Sequence, residues 1–397
     1  MKKVGIVSCY FQHNYGSMLQ ALATQMALDK LGYENETIDI SGFNGEIKRS
    51  KIFYFVKASL TSDILLDKIG MAKNVLKKKF SNNQYAALSK VRAEKFDNFC
   101  KNQFRLSPKY KSKVELGNQC KDRYSSVVVG SDQLWLPGNI AADYYTLNFV
   151  PEEVNTIAYA TSFGQSSLPN VSAKSASIFL KKINHISVRE ETGQKLVKQL
   201  TGRRVPVVCD PTLLFTGEEW MAIQKEEPII MGKYIFCYFL GNNPPHREFA
   251  KRLKEATKYK IVALTHLDEF VKSDEGYADE TPYDVDPADF LNLIRNAAFV
   301  CTDSFHCSVF SILYQRMFFA FRRYMRNTKQ STNSRLDTLF NIAGISGRIM
   351  IGDEDVKKCM SLEIDFDTVR RRLDNARKES YDYLLTSLKN DRNTDLA

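Results

Sequence analysis

Residues 298–321, AFVCTDSFHCSVFSILYQRMFFAF, constrain the fold more than any other stretch of this chain. Residues 298–301 are a short apolar run of the kind that forms a buried strand. Thr302, Asp303 and Ser304 make a polar turn, an apolar helix opens at His306, and 317–321 read as the next strand. A strand–loop–helix–strand unit of this type belongs to a parallel sheet covered by helices. In such sheets ligands bind in the crevice beyond the carboxyl ends of the strands. A helix N-terminus adds unpaired N–H groups and a dipole that favours an anion. His306 thus stands where a proton-transfer group can meet a phosphate or carboxylate. A helix-start histidine bonded to a loop carbonyl accounts for the same residue equally well.

The pattern repeats along the chain. Residues 4–9 read as a strand, 17–31 carry apolar residues at helical spacing, Gly32 suits a C-cap, and 36–40 read as a second strand, giving a βαβ opening. Strand-like runs follow at 126–130, 156–162, 186–189 and 205–209, each leading into a polar loop. A second α/β series begins near Trp220, with strands at 234–240 and 260–264, helices at 287–296 and 333–342, and a charged helix at 365–388. The chain has 397 residues, more than one core usually serves. The expected fold class is therefore α/β, with two Rossmann-like domains and a cleft between them, a GT-B-type architecture. The expected domains are 1–215 and 216–397, the second closing with the C-terminal helix. Residues 45–113 break the pattern: they are helical, basic and aromatic, and read as an insertion.

Charge and cysteine usage narrow the function classes. Lysine and arginine exceed aspartate and glutamate by 10, which favours acidic partners. The insertion holds many of the lysines, including Lys77, Lys78 and Lys79. Basic helices of this kind can rest on an anionic membrane surface, although a solvated cover helix is the commoner use. No nucleic-acid-binding motif accompanies the charge, so no nucleic-acid partner is expected. The eight cysteines form no CxxC pair, which leaves zinc and dithiol chemistry unsupported. No uncharged apolar run spans a membrane, and the opening MKKVGIVSCYF reads as a strand rather than a signal peptide. A cytoplasmic protein is expected, with peripheral contact at the inner membrane surface as the further option.

Several motifs in order, HNYGSMLQA, VVVGSDQLW, the strand ending Ser187-Val188-Arg189, VVCDPTLLF, the DSFH unit and NSRLDTLFNIAGI, together resemble the polysaccharide pyruvyl transferase family over most of the chain. The resemblance implies a GT-B fold and transfer of pyruvate from phosphoenolpyruvate, as a cyclic ketal, onto two hydroxyls of a sugar. Phosphoenolpyruvate is then the donor substrate, no cofactor or metal is needed, and the partner is a glycan acceptor, including one carried on a lipid. The chemistry asks for an acid–base group titrating near neutrality, which histidine supplies, and for forked cations that match phosphate and carboxylate, which arginine supplies. The family's histidine falls on His306, and its arginines fall on Arg189 and Arg335. Many members carry an arginine two positions before the histidine, where this chain has Ser304. Arg322, Arg323 and Arg335 are the cations left to take its place.

The resemblance makes His306 and Arg189 catalytic and Arg335 donor-binding. Ser304, Asn14 and Gly16 are expected to face the donor, although Gly16 can equally serve a turn. Asp132, Gln133 and Trp135 are expected to meet the acceptor. For Asp132 an N-cap role, and for Trp135 a core position, remain open. Asp210 before Pro211 can orient an arginine or simply make a turn. Two rival functions stay open: a GT-B glycosyltransferase with a nucleotide-sugar donor and, remotely, a nucleic-acid-binding protein. Fold alone does not separate the first rival from the leading reading.

Overall fold

The computed structural model describes residues 2–59, 83–267, 270–323 and 334–389. Two five-stranded parallel sheets organise it. The first contains β1 (Lys3–Val7), β2 (Asn35–Thr37), β3 (Tyr124–Asp132), β4 (Asn155–Thr161) and β5 (His185–Val188), in the order β2-β1-β3-β4-β5. The second contains β6 (Tyr234–Tyr238), β7 (Lys260–Ala263), β8 (Phe299–Thr302), β9 (Met317–Phe321) and β10 (Ile349–Met350), in the order β10-β9-β8-β6-β7. Helices cover these sheets, so central strands such as β4, β6 and β8 are buried nearly throughout. That double burial explains why they read as unbroken apolar runs.

The expected strand at 205–209 does not form. Val207 makes a single bridge to Val188, flanked by one bond from Val188 N to Pro206 O and one from Val208 N to Val188 O. Pro206 has no N–H to extend the ladder, and Asp210-Pro211 turns the chain into a short 3₁₀ segment, Pro211–Leu214.

Among the described residues, several elements join the halves. Tyr15, at the start of the helix Tyr15–Lys30, stacks on Phe290 at 4.6 Å and donates its hydroxyl to Val285 O. The helix Asn83–Gln103 belongs to the expected insertion, yet it is no detached cover. Its Phe96 and Phe99 enter the core, and its Arg92 donates to the carbonyls of Thr265, Pro282 and Tyr283 in the second half. The last helix, Phe366–Leu388, follows the second sheet in sequence but returns to the first half. There Tyr383 donates to Ala158 O at 3.2 Å, Arg377 donates to Leu213 O at 2.7 Å, and Ser387 O accepts from Asn155. Lys77, Lys78 and Lys79, the cluster expected to meet a membrane, lie outside the described residues. Among the described residues no helix is long and apolar enough to cross a membrane.

Candidate functional site

The carboxyl ends of β1, β3, β8 and β9 lead into loops that line a cavity of about 340 Å³ between the halves. From the first half come Asn14, Ser17, Lys51, Asp132 and Gln133. From the second come Ser304, Phe305, His306, Arg323 and Arg335.

His306 sits in the first turn of the helix Phe305–Leu313. Ser304 is the N-cap, its hydroxyl accepting from Cys307 N. It therefore lines the cavity as a cap, with no charge to offer an anion. His306 Nε2 lies 3.5 Å from Asp210 Oδ2 and is buried without a hydrogen-bond partner. The other nitrogen, Nδ1, faces Gly16, where even a single Cβ would overlap the imidazole. The helix Tyr15–Lys30 thus needs glycine there so that a side chain from the opposite half can seat against it, and no positive φ is involved. Asn14 caps the same helix by accepting from Ser17 N at 3.1 Å.

Asp210, read from sequence as either a turn residue or an arginine's partner, is both. Its Oδ1 accepts from Thr212 N and Oγ1, capping the 3₁₀ segment, while its Oδ2 accepts from Arg189 Nη1 at 2.6 Å and from Ser131 Oγ at 3.2 Å. Burial opposes ionisation of Asp210, but His306 and Arg189 outweigh it and hold the carboxyl well below the usual range. Burial likewise opposes ionisation of Asp132. Arg189, His306 and Arg335 outweigh it, and the carboxyl is lowered to about 2. Asp132 takes a left-handed φ of 75° at the end of β3, a conformation that costs a non-glycine residue free energy and is frequent at functional sites. Its Oδ2 accepts from Ser17 Oγ at 2.7 Å.

Arg189 corrects an expectation. It is only 2% exposed and is not on the cavity wall. Its guanidinium is held by Asp210 and Asp132 and lies 4.7 Å over the Phe305 ring. It lies behind the wall, between two carboxylates. Trp135 is a second correction: it is fully buried against Phe163 and Phe179 and donates Nε1–H to Tyr145 O, so no ring face is left for a sugar. Arg322 turns away to pair with Asp337.

Arg335 differs from these. It is 7% exposed, lines the cavity, and forms no ion pair among the described residues; its Nε lacks a hydrogen-bond partner. Its guanidinium faces the Phe305 ring at 5.7 Å. Burial and the neighbouring Arg189 lower its pKa to about 10. Asp132 and Glu190 oppose this shift without pairing with the guanidinium. A buried cation that is not paired is costly, and a bound anion would relieve that cost. Arg323 adds a second cation, loosely tied to Asp303, whose carboxylate is already engaged by the N–H groups of Leu240 and Gly241. Cys9 also lines the cavity, but burial raises its thiol pKa far above neutral, so it offers no thiolate nucleophile.

A second cavity of about 310 Å³ adjoins the first and shares Asn14 and Leu240 with it. Its walls include Phe96, Tyr238 and two histidines backed by carboxylates: His13 with Asp97 at 2.9 Å, and His266 with Asp274 at 2.7 Å.

Sequence reasoning missed Lys51, because the insertion carried none of the motifs. It also gave Asp210 no fixed role. The Asp-Pro step after an apolar run was the available signal.

Comparison with known proteins bears on the fold and the family. No curated protein matches the chain. Among solved structures, UDP-N-acetylglucosamine 2-epimerase from Rickettsia bellii is 11% identical, with a TM-score of 0.53 over 98% of this chain and 97% of that one. UDP-GlcNAc 2-epimerase from Methanocaldococcus jannaschii, in complex with UDP-GlcNAc and UDP, is 13% identical, with a TM-score of 0.49 over 98% and 99%. At such identities the likeness shows the fold alone, which is GT-B. The family model for polysaccharide pyruvyl transferase matches residues 14–323, a span that takes in the Asn14 loop, Asp132, Asp210, His306 and Arg323. The chain belongs to the polysaccharide pyruvyl transferase family.

Proposed function

We propose that this chain transfers pyruvate from phosphoenolpyruvate, as a ketal, onto a sugar of a surface-polysaccharide precursor. The observation that carries the reading is Arg335, a buried cation on the cavity wall that forms no ion pair among the described residues, beside the His306–Asp210 pair.

In this reading Arg335 and Arg323, with the N-terminus of the helix Phe305–Leu313, hold the donor's phosphate and carboxylate. His306 gives a proton to the methylene carbon, and the positive charge appears at C2. The Asp210 carboxylate faces the ring 3.5 Å from Nε2. One sugar hydroxyl adds to C2 and loses its proton, which replaces the one given to carbon. The C2–O bond to phosphate breaks, the second hydroxyl closes the ring, and its proton leaves with the phosphate. Asp132 and Gln133 face the reacting hydroxyls, and the adjoining cavity has room for the rest of the glycan.

Incubation with phosphoenolpyruvate and a panel of oligosaccharides, read by mass spectrometry, tests this. The expected product gains one pyruvate less one water, with release of inorganic phosphate. Gain of a hexose from a nucleotide sugar, with no change from phosphoenolpyruvate, would establish the glycosyltransferase alternative.

A further inference from the structure

Lys51 lies on the helix Asn44–Ser59 and lines the same cavity as His306 and Arg335. Burial on this helix runs against residue type. Lys51 is half-buried, while its apolar neighbours Ile52, Phe53 and Val56 are 62%, 72% and 57% exposed. Burying a lysine while leaving isoleucine and phenylalanine in water costs free energy unless the ammonium meets something in the cavity. Among the described residues it meets no carboxylate. The helix is fixed in place elsewhere: Phe43 and Ile47 are buried at its start, Glu46 pairs with Lys113 at 3.4 Å, and Phe55 packs over Gly138. The backbone at Lys51 is therefore held beside the cavity that its side chain lines.

The cavity wall carries three cations, Lys51, Arg323 and Arg335, against the carboxylate Asp132, which Arg189 already pairs. Both arginines come from the second half, and Lys51 is the cation the first half supplies. We infer that Lys51 is a contact for the donor's phosphate or carboxylate, gripping it from the side opposite Arg323 and Arg335. The inference rests on the donor reading above. It supplies a cation for the loop whose position 304 is an uncharged cap. Burial lowers the Lys51 pKa, as it does for Arg335, and a bound anion would reverse both shifts.

Titration calorimetry of the full chain with inorganic phosphate and with phosphoenolpyruvate tests the assignment. Wild type, Lys51→Gln, Lys51→Arg and Arg335→Gln are compared, with circular dichroism as the check on folding. Lys51→Gln should weaken both ligands roughly tenfold or more, the scale of one charge-assisted contact, and Lys51→Arg should restore most of the loss. Under turnover the same loss should appear in KM for phosphoenolpyruvate, with kcat nearly unchanged. Wild-type phosphate affinity in a folded Lys51→Gln variant, alongside weakened affinity in Arg335→Gln, would overturn the Lys51 contact and leave the donor reading standing. Phosphate bound through Lys51 with no binding of phosphoenolpyruvate would do the reverse. If Lys51→Gln does not fold, Lys51→Met takes its place: phosphate affinity roughly tenfold below wild type supports the contact, and wild-type affinity contradicts it.

Discussion

His306 and Gly16 act as one unit. The imidazole rests against a helix that has no Cβ at the contact, and Asp210 stands at its other nitrogen. His306→Gln should leave the fold intact and lower turnover by about 10²–10⁴-fold, the usual contribution of an acid–base group. Gly16→Ala should act through the same group, because the added methyl pushes the ring from its seat. A misplacement of about 1 Å can cost on the order of 10²-fold. The check is kcat for both variants with thermal unfolding as the folding control. Wild-type turnover in Gly16→Ala would mean the ring is not held there during reaction. Sequence alone pointed to His306, since a histidine at a helix start after a strand is a local pattern. Gly16 was readable as a donor-facing residue or a turn but not as the seat of the imidazole, because that reason lies in a side chain from the other half.

Elements place the chemistry by one rule: the groups sit at carboxyl ends of parallel strands, on loops that a rigid sheet aims at the cleft. The helix Pro244–Thr257 shows what the same packing does away from the site. Its His246 is fully buried, 4.6 Å from the Phe321 ring, and neither ring nitrogen has a hydrogen-bond partner. Burial lowers its pKa to about 4, with Asp303 opposing the shift and Arg247 adding to it. The native state therefore keeps His246 neutral, while the unfolded chain binds a proton below about pH 6.5. Stability must fall as pH drops from that value toward 4, by as much as about 3 kcal/mol from this residue. Urea unfolding at pH 7, 5.5 and 4.5 should show the fall in wild type and a flatter profile in His246→Phe. Equal slopes would mean the native site accommodates the charged ring. Such elements were largely legible in sequence, since double burial writes parallel strands as apolar runs. The exceptions have local causes. Pro206 breaks the run at 205–209, Trp135 has its indole N–H satisfied inside the core, and Arg189 is masked by two carboxylates distant in sequence.

At the scale of the molecule, the site exists only where the halves meet. Asp132, Asn14 and Lys51 come from one side, and His306, Arg323 and Arg335 from the other. Tyr15, Arg92 and the returning C-terminal helix tie the two sides together. The two-sheet plan could be read from the order of the strands. The joint could not, because apart from Tyr15 the residues named here lie in the stretch that looked like an insertion and in a charged tail. The central claim is that this cavity is built for phosphoenolpyruvate. Calorimetric titration of wild type and Arg335→Gln with phosphoenolpyruvate and with a UDP-sugar addresses it most directly. Saturable binding of phosphoenolpyruvate to wild type is expected, weakened at least tenfold in Arg335→Gln because a buried charge-assisted contact is lost. Binding of the UDP-sugar with none of phosphoenolpyruvate, or phosphoenolpyruvate binding indifferent to Arg335, would contradict it.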